Sequence, residues 1–191
     1  MTILRTSAKE LVIHNPIRLD DPAYAQLETL GFVGHIVAPN TFHGSDAPFY
    51  RKRFPLARFH PPGSGAQWPT SLRKDVDALP LNGLRFSKET VFFHRVSKTL
   101  VVTDLVFNMQ IKLRGFEKNV YEMNKIYQRF GPSRIFRYGF IADKVAFGRS
   151  LDKILRWDFE RVIMNHGTIL ERDGPAMLLK SFGEMGIKPL L

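Results

Sequence analysis

The sequence predicts an α/β fold in which strands alternate with helices and a sheet is covered by those helices. Three observations carry this. Short apolar runs closed by polar residues alternate with helical patterns early in the chain. Residues 90–94 (TVFFH) and 99–103 (TLVVT) are rich in β-branched and aromatic side chains, with Ser97 and Lys98 between them, and read as a hairpin. In the second half, Phe116, Val120, Met123, Tyr127 and Phe130 follow helical spacing, as do Phe147, Leu151, Ile154 and Leu155.

Each element has a local reason. Residues 11–14 (LVIH) form a strand stopped by Asn15-Pro16. Residues 21–30 form a helix, capped by Asp20 or Asp21, with Pro22 in its first turn and Gly31 past its end. Residues 35–38 (HIVA) are a second strand ending at Pro39-Asn40, a short helix follows over 47–54, and 57–59 are a third strand. The Pro- and Gly-rich stretch 60–70 (HPPGSGAQWPT) reads as a surface loop. Residues 161–164 (RVIM) are a strand ending at Asn165-His166-Gly167, and a last helix runs from near Asp173 to about Met185.

Composition narrows the function classes. The chain has 191 residues, 44% hydrophobic and 24% charged, which fits one globular domain over 1–191 and excludes a disordered chain. Cysteine is absent, so disulfides, Cys metal sites and a thiol nucleophile are excluded. No stretch resembles a signal peptide or a membrane span, and a cytoplasmic location is expected. Lys and Arg outnumber Asp and Glu by 28 to 18, a net charge of +10. Residues 98–161 carry 13 basic and 7 acidic side chains, 13 − 7 = +6. Such a surface attracts polyanions, so nucleic acid is a candidate partner. No GxGxxG, Walker, GxSxG or HExxH motif is present.

The chemistry sits where strands stop. Asn40 and His43 follow one apolar run, Asp104 ends another, and His166 ends a third. A carboxylate inside an apolar strand needs a partner: a metal, a histidine, an arginine or backbone N–H groups. Two imidazoles and a carboxylate at strand ends are ligand types for zinc or a similar metal. His14 ends the first strand and is placed on the cleft border with Asn40. His94 is a candidate supporting group behind the ligands, if the hairpin register turns it to the face of Asp104. A two-residue loop would pair it with Val101, and a three-residue loop with Val102.

The phrases LVIHNPIRL, IVAPNTFH, VFFHRVSKTLVVTDLVFN and RVIMNHG, in this order over 11–167, resemble the metallo-β-lactamase fold superfamily, and within it a branch of uncharacterised function. The resemblance implies an αββα sandwich of two mixed sheets with helices outside and a site along one edge. It also implies a hydrolase ancestry in which one or two metal ions activate water. The superfamily's His-x-His-x-Asp-His turn falls on residues 40–46, where Asn40, Phe42, Gly44 and Ser45, or in the shifted register Thr41, His43, Ser45 and Asp46, stand in the ligand places. The stretch 86–89 (FSKE) lacks the next His. Asp104 matches the bridging carboxylate and His166 the final His. The expectation is therefore a hydrolase-like protein with a reduced site of His43, Asp104 and His166. It would hold at most one divalent metal, zinc first among them, with an empty site the favoured state. The alternative is a non-catalytic binding module of the same fold that takes a small ligand or a polyanion.

Overall fold

The fold, from a computed structural model, is described for residues 1–187. It is a mixed α/β structure with two four-stranded mixed sheets and a small two-stranded one.

The first sheet runs in the order β1 (Thr2–Arg5), β2 (Glu10–His14), β3 (Phe32–Val37), β4 (Arg58–His60). β1 pairs antiparallel with β2, while the pairs β2–β3 and β3–β4 are parallel. The β2–β3 crossover contains helix α1 (Asp21–Leu30), and the β3–β4 crossover contains α2 (Ala47–Arg53). Asp20 caps α1 by accepting from the Ala23 N–H at 2.9 Å. Gly31 ends it at φ 154°, where a Cβ would stand 2.0 Å from the Lys9 carbonyl oxygen.

The second sheet runs β10 (Arg161–Ile163), β7 (Thr99–Val101), β6 (Thr90–His94), β5 (Val76–Pro80). β5–β6 and β6–β7 are antiparallel, and β10 joins β7 in parallel. β8 (Phe107–Asn108) and β9 (Phe130–Gly131) form the small sheet. Three more helices follow the hairpin: α3 (Gly115–Met123), α4 (Lys144–Leu155) and α5 (Gly174–Gly183). A π-helical turn covers Phe136–Phe140.

Side-chain alternation along the strands divides the core into three clusters. Leu11, Ile13 and Ile36 leave one face of the first sheet and pack with Tyr24 and Leu27 of α1 and Ala47 and Tyr50 of α2. Leu4, Val12 and Val37 leave its other face and share a cluster with Val76, Ala78, Phe92 and Val101 of the second sheet. Val91, Phe93, Leu100 and Val162 leave the far face of the second sheet, toward Phe147, Leu151 and Ile154 of α4 and Leu178 and Phe182 of α5. Each fully buried side chain of this size contributes about 1.5–3 kcal/mol, so the three clusters fix the layering.

Several sequence expectations need correction. The hairpin turns through four residues, 95–98, so His94 pairs with Thr99 rather than Val101 or Val102. The expected helical run through Phe130 stops at Met123, because Lys125 (φ 58°) and Gln128 (φ 45°) leave helical space and Phe130 enters β9. α3 buries none of its residues, and Phe116 is 83% exposed. Trp68, expected in a surface loop, lies in the core and donates from Nε1 to the Val76 carbonyl at 2.8 Å. No helix among the described residues is long and apolar enough to cross a membrane.

Candidate metal centre

β2, β3 and β7 end, and β6 begins, at one end of the two large sheets. The turns leaving those strands carry the polar residues. Beyond β3, Asn40 is fully buried and forms an Asx-type turn: its Oδ1 accepts the Phe42 N–H at 2.9 Å. That bond orients the amide, leaving Nδ2 to donate to Asp104 Oδ2 at 2.7 Å. The same turn delivers His43, whose Nε2 lies 3.1 Å from Asp104 Oδ1. After β10, the turn at Gly167 delivers His166, whose Nε2 lies 3.0 Å from the same oxygen. Gly167 is required there: its φ is +113°, and a Cβ would sit 2.2 Å from the Asn108 carbonyl oxygen.

Asp104 is thus the hub, with both imidazoles on one oxygen and Asn40 on the other. Its position depends on Glu89, the residue just before β6. The buried Glu89 carboxylate accepts the backbone N–H groups of Thr103 (2.9 Å), Asp104 (3.2 Å) and Leu105 (3.2 Å), and so closes the turn after β7 around itself. Asn165 Nδ2 lies 3.3 Å from His43 Nδ1; in the neutral ring the amide donates there and the ring proton sits on Nε2, toward Asp104. Phe107 stacks on the His166 ring, centroids 4.9 Å apart and planes 11° apart.

The electrostatics follow from these contacts. Burial alone would raise the Asp104 carboxyl. The hydrogen bonds from His166 and His43, the His43 charge and the Asn40 amide outweigh it and hold the group well below the usual carboxylate range. The hydrogen bond to Asp104 raises His43 above an ordinary histidine, against a smaller effect of burial. Glu89 moves the other way: burial, then the Asp104 charge, push it up to about 7 despite its three N–H donors. Two neighbouring carboxyls with opposite shifts hold one negative charge firmly on Asp104.

The structure therefore brings His43, Asp104, His166 and Asn40 into one group. His14, expected beside the cleft with Asn40, is fully buried, edge-on to Phe92 with ring centroids 5.4 Å apart. Neither of its ring nitrogens has a hydrogen-bond partner among the described residues. Burial, then the positive N-terminal amine and His43, lower it to about 3. Thr90 Oγ1 and Thr103 Oγ1, close in sequence to Glu89 and Asp104, are also buried and unpartnered. His94 stands away from the ligands. It lies at the opposite end of the hairpin from Asp104, where Nδ1 meets Ser97 Oγ at 2.7 Å and Nε2 meets the Arg5 carbonyl at 3.0 Å. It supports the chain reversal and not the ligands.

Sequence reasoning missed Glu89, Asn165 and Phe107. Glu89 had a signal, a carboxylate directly abutting an apolar strand, in the stretch searched only for a histidine. A separate part-buried chain was missed as well: Glu10 Oε1 is 3.1 Å from His35 Nε2, and His35 Nδ1 is 2.8 Å from His60 Nε2. Both of these rings pack on Trp68.

The donor set fits a cation. Two imidazoles and a carboxylate place one ligand atom each within 4.8 Å of one another. Ligands about 2.0–2.2 Å from a shared zinc stand about 3.3 Å apart, so the 3.0 and 3.1 Å contacts of Asp104 would open by a few tenths of an ångström. His166 keeps 39% of its side chain exposed, which leaves the group open to solvent. Beside it lies a cavity of about 250 Å³ lined by Asp104 and by apolar side chains including Phe42, Phe107, Ile126, Ile135 and Phe140. Phe42 and Phe140, both in its lining, stack on each other with centroids 5.4 Å apart. Compared with known proteins, the chain matches no family model and no curated protein.

Proposed function

We propose that the protein is a hydrolase of the metallo-β-lactamase type, an αββα sandwich whose reduced site binds one divalent metal, zinc first among the candidates, through His43, Asp104 and His166. The observation that carries this is the convergence of two Nε2 atoms on one Asp104 oxygen at the mouth of an apolar cavity. The layered clusters and two mixed sheets support the fold assignment. A bound divalent metal would lower the pKa of a coordinated water toward about 7.

The chain's own groups do the rest. Asn40 and Glu89 fix Asp104 from behind, so its free lone pairs face the two histidines. Asn165 holds the His43 ring plane. A cation on Nε2 would need each ring proton on Nδ1, with Asn165 turning its amide to offer Oδ1 to His43, and metal affinity would fall as pH falls into the range where the raised His43 is protonated on both nitrogens. The aromatic cavity receives an apolar group of the substrate and excludes water from it. The test is turnover of a panel of aryl esters and aryl phosphate esters by protein stripped with a chelator and reloaded with zinc. Activity that returns with zinc and falls at least a hundredfold in Asp104→Asn supports the proposal. Activity that ignores both refutes it.

A second reading has its own observation. With protons on both Nε2 atoms, His43, His166 and Asn40 satisfy Asp104 without any cation. This supports a binding module that never takes up metal. It predicts no zinc binding and an apolar ligand still entering the aromatic cavity.

A further inference from the structure

We propose that a small basic hollow among the turn after α3, the Phe136–Phe140 turn and the end of α5 binds a phosphoryl group. The hollow has a volume of about 80 Å³, and its lining includes Lys125, Arg129, Arg134, Arg137, Ser133 and Glu184. Four cations and one carboxylate give it a local charge of 4 − 1 = +3. Outside the hollow, three basic residues of this half have local counterions: Lys98 has Asp158 and Glu160, Lys118 has Glu122 and Arg161 has Glu171. Here only Arg129 is, by Glu184. Among the described residues, the Lys125 and Arg134 side chains have no ion pair or hydrogen bond. Arg137 gives one Nη2 bond to the Met185 carbonyl at 3.1 Å, and its remaining N–H groups are uncommitted.

Cations gathered without a counterion repel one another, and a compact polyvalent oxyanion removes that cost. Guanidinium forks match phosphate oxygens in pairs, and the two free side chains lose no existing partner when they turn inward. Ser133 adds a donor: its Oγ accepts the Phe136 N–H at 3.0 Å, which leaves its own proton free. Ser133 also lines the aromatic cavity that reaches Asp104. The hollow therefore adjoins the aromatic cavity and suits a phosphate ester whose apolar part enters that cavity. The site itself does not rest on the hydrolase reading, since its cations stand whether or not a metal is bound.

The test uses inorganic phosphate on chelator-stripped protein at constant ionic strength, read by calorimetry and by ³¹P line broadening. The variants are Arg134→Gln with Lys125→Asn, the Asn being chosen because Lys125 has φ 58°. Lys52→Asn on α2 is the charge control and His166→Ala the metal-centre control. The expected result is saturable binding that weakens at least about tenfold in the double variant and is unchanged in both controls. No saturable binding, or binding lost only in His166→Ala, overturns the proposal. A single-stranded oligonucleotide in the same assay separates the sources of the phosphoryl group. If it binds, and shares the loss in the double variant, the phosphoryl group belongs to a nucleic-acid strand. If phosphate alone binds, it belongs to a small ester.

Discussion

Replacing His14 by Leu should stabilise the protein and remove much of its acid sensitivity. The imidazole is fully buried and neither nitrogen has a hydrogen-bond partner, so its desolvation is offset only by the edge contact with Phe92. An unsatisfied buried polar group costs about 1–3 kcal/mol, and an apolar side chain of similar size recovers it. At pH 7, His14→Leu should therefore gain roughly that amount. The pH dependence has a definite sign. His14 titrates near 3 in the fold against 6.5 ordinarily, so the unfolded chain takes up a proton first as pH falls. Its contribution is complete above 6.5 and is lost progressively down to about 3. Between pH 7 and pH 4 the difference amounts to about 2.5 pH units, or about 3 kcal/mol. Urea unfolding of wild type and variant at the two pH values reads this directly. The wild type should lose about 3 kcal/mol more than His14→Leu on going to pH 4. Equal losses would show that the imidazole has a partner or reaches solvent, and would refute the reasoning.

Three further outcomes follow from the same contacts. Glu89 titrates near 7 in the fold against 4.5 ordinarily, so its contribution is full below 4.5 and is lost as pH rises through about 7. Glu89→Gln should abolish that decline between pH 4.5 and about 7, whereas Glu89→Ala, which strands three N–H groups, should cost about 3–5 kcal/mol in chemical unfolding. Gly167→Ala forces a Cβ onto the Asn108 carbonyl at positive φ. It should cost at least about 2 kcal/mol and weaken zinc binding through the neighbouring His166; unchanged unfolding and affinity would contradict the geometry. Asp20→Ala should lower stability by about 1 kcal/mol through loss of the α1 cap and leave zinc affinity untouched, as calorimetry would show.

Local signals made some elements readable and left others hidden. α1 runs over the expected residues because a capping Asp, a first-turn Pro and a terminal Gly all act within a few residues of the chain. β5 was hidden because its sequence, VDALP, contains Asp77 and Pro80, which look like turn residues. Only the pairing with β6 and the Arg73 and Arg95 contacts to Asp77 make it a strand. β1 is short and takes its order from β2. In α3 the apolar spacing continued past the point where positive-φ residues stop the helix, and spacing carries no information on backbone φ. The placing of His43, Asp104 and His166 at strand ends was readable, since polar residues closing apolar runs lie at sheet edges. Glu89 was readable only as a carboxylate abutting an apolar strand; its partners, backbone N–H groups of Thr103, Asp104 and Leu105, were not. His94 failed for a different reason. Alternation reports which face a side chain takes, but not which end of the hairpin lies near the site.

Whether His43, Asp104 and His166 form one cation site is read by a zinc titration. Chelator-stripped protein is titrated with zinc by calorimetry, and the loaded protein is then analysed for metal content. The expected result is one tightly bound zinc per chain, with affinity that falls at acid pH and is lost in both His166→Ala and Asp104→Asn. No binding, two tight ions per chain, or one ion indifferent to both substitutions would contradict it.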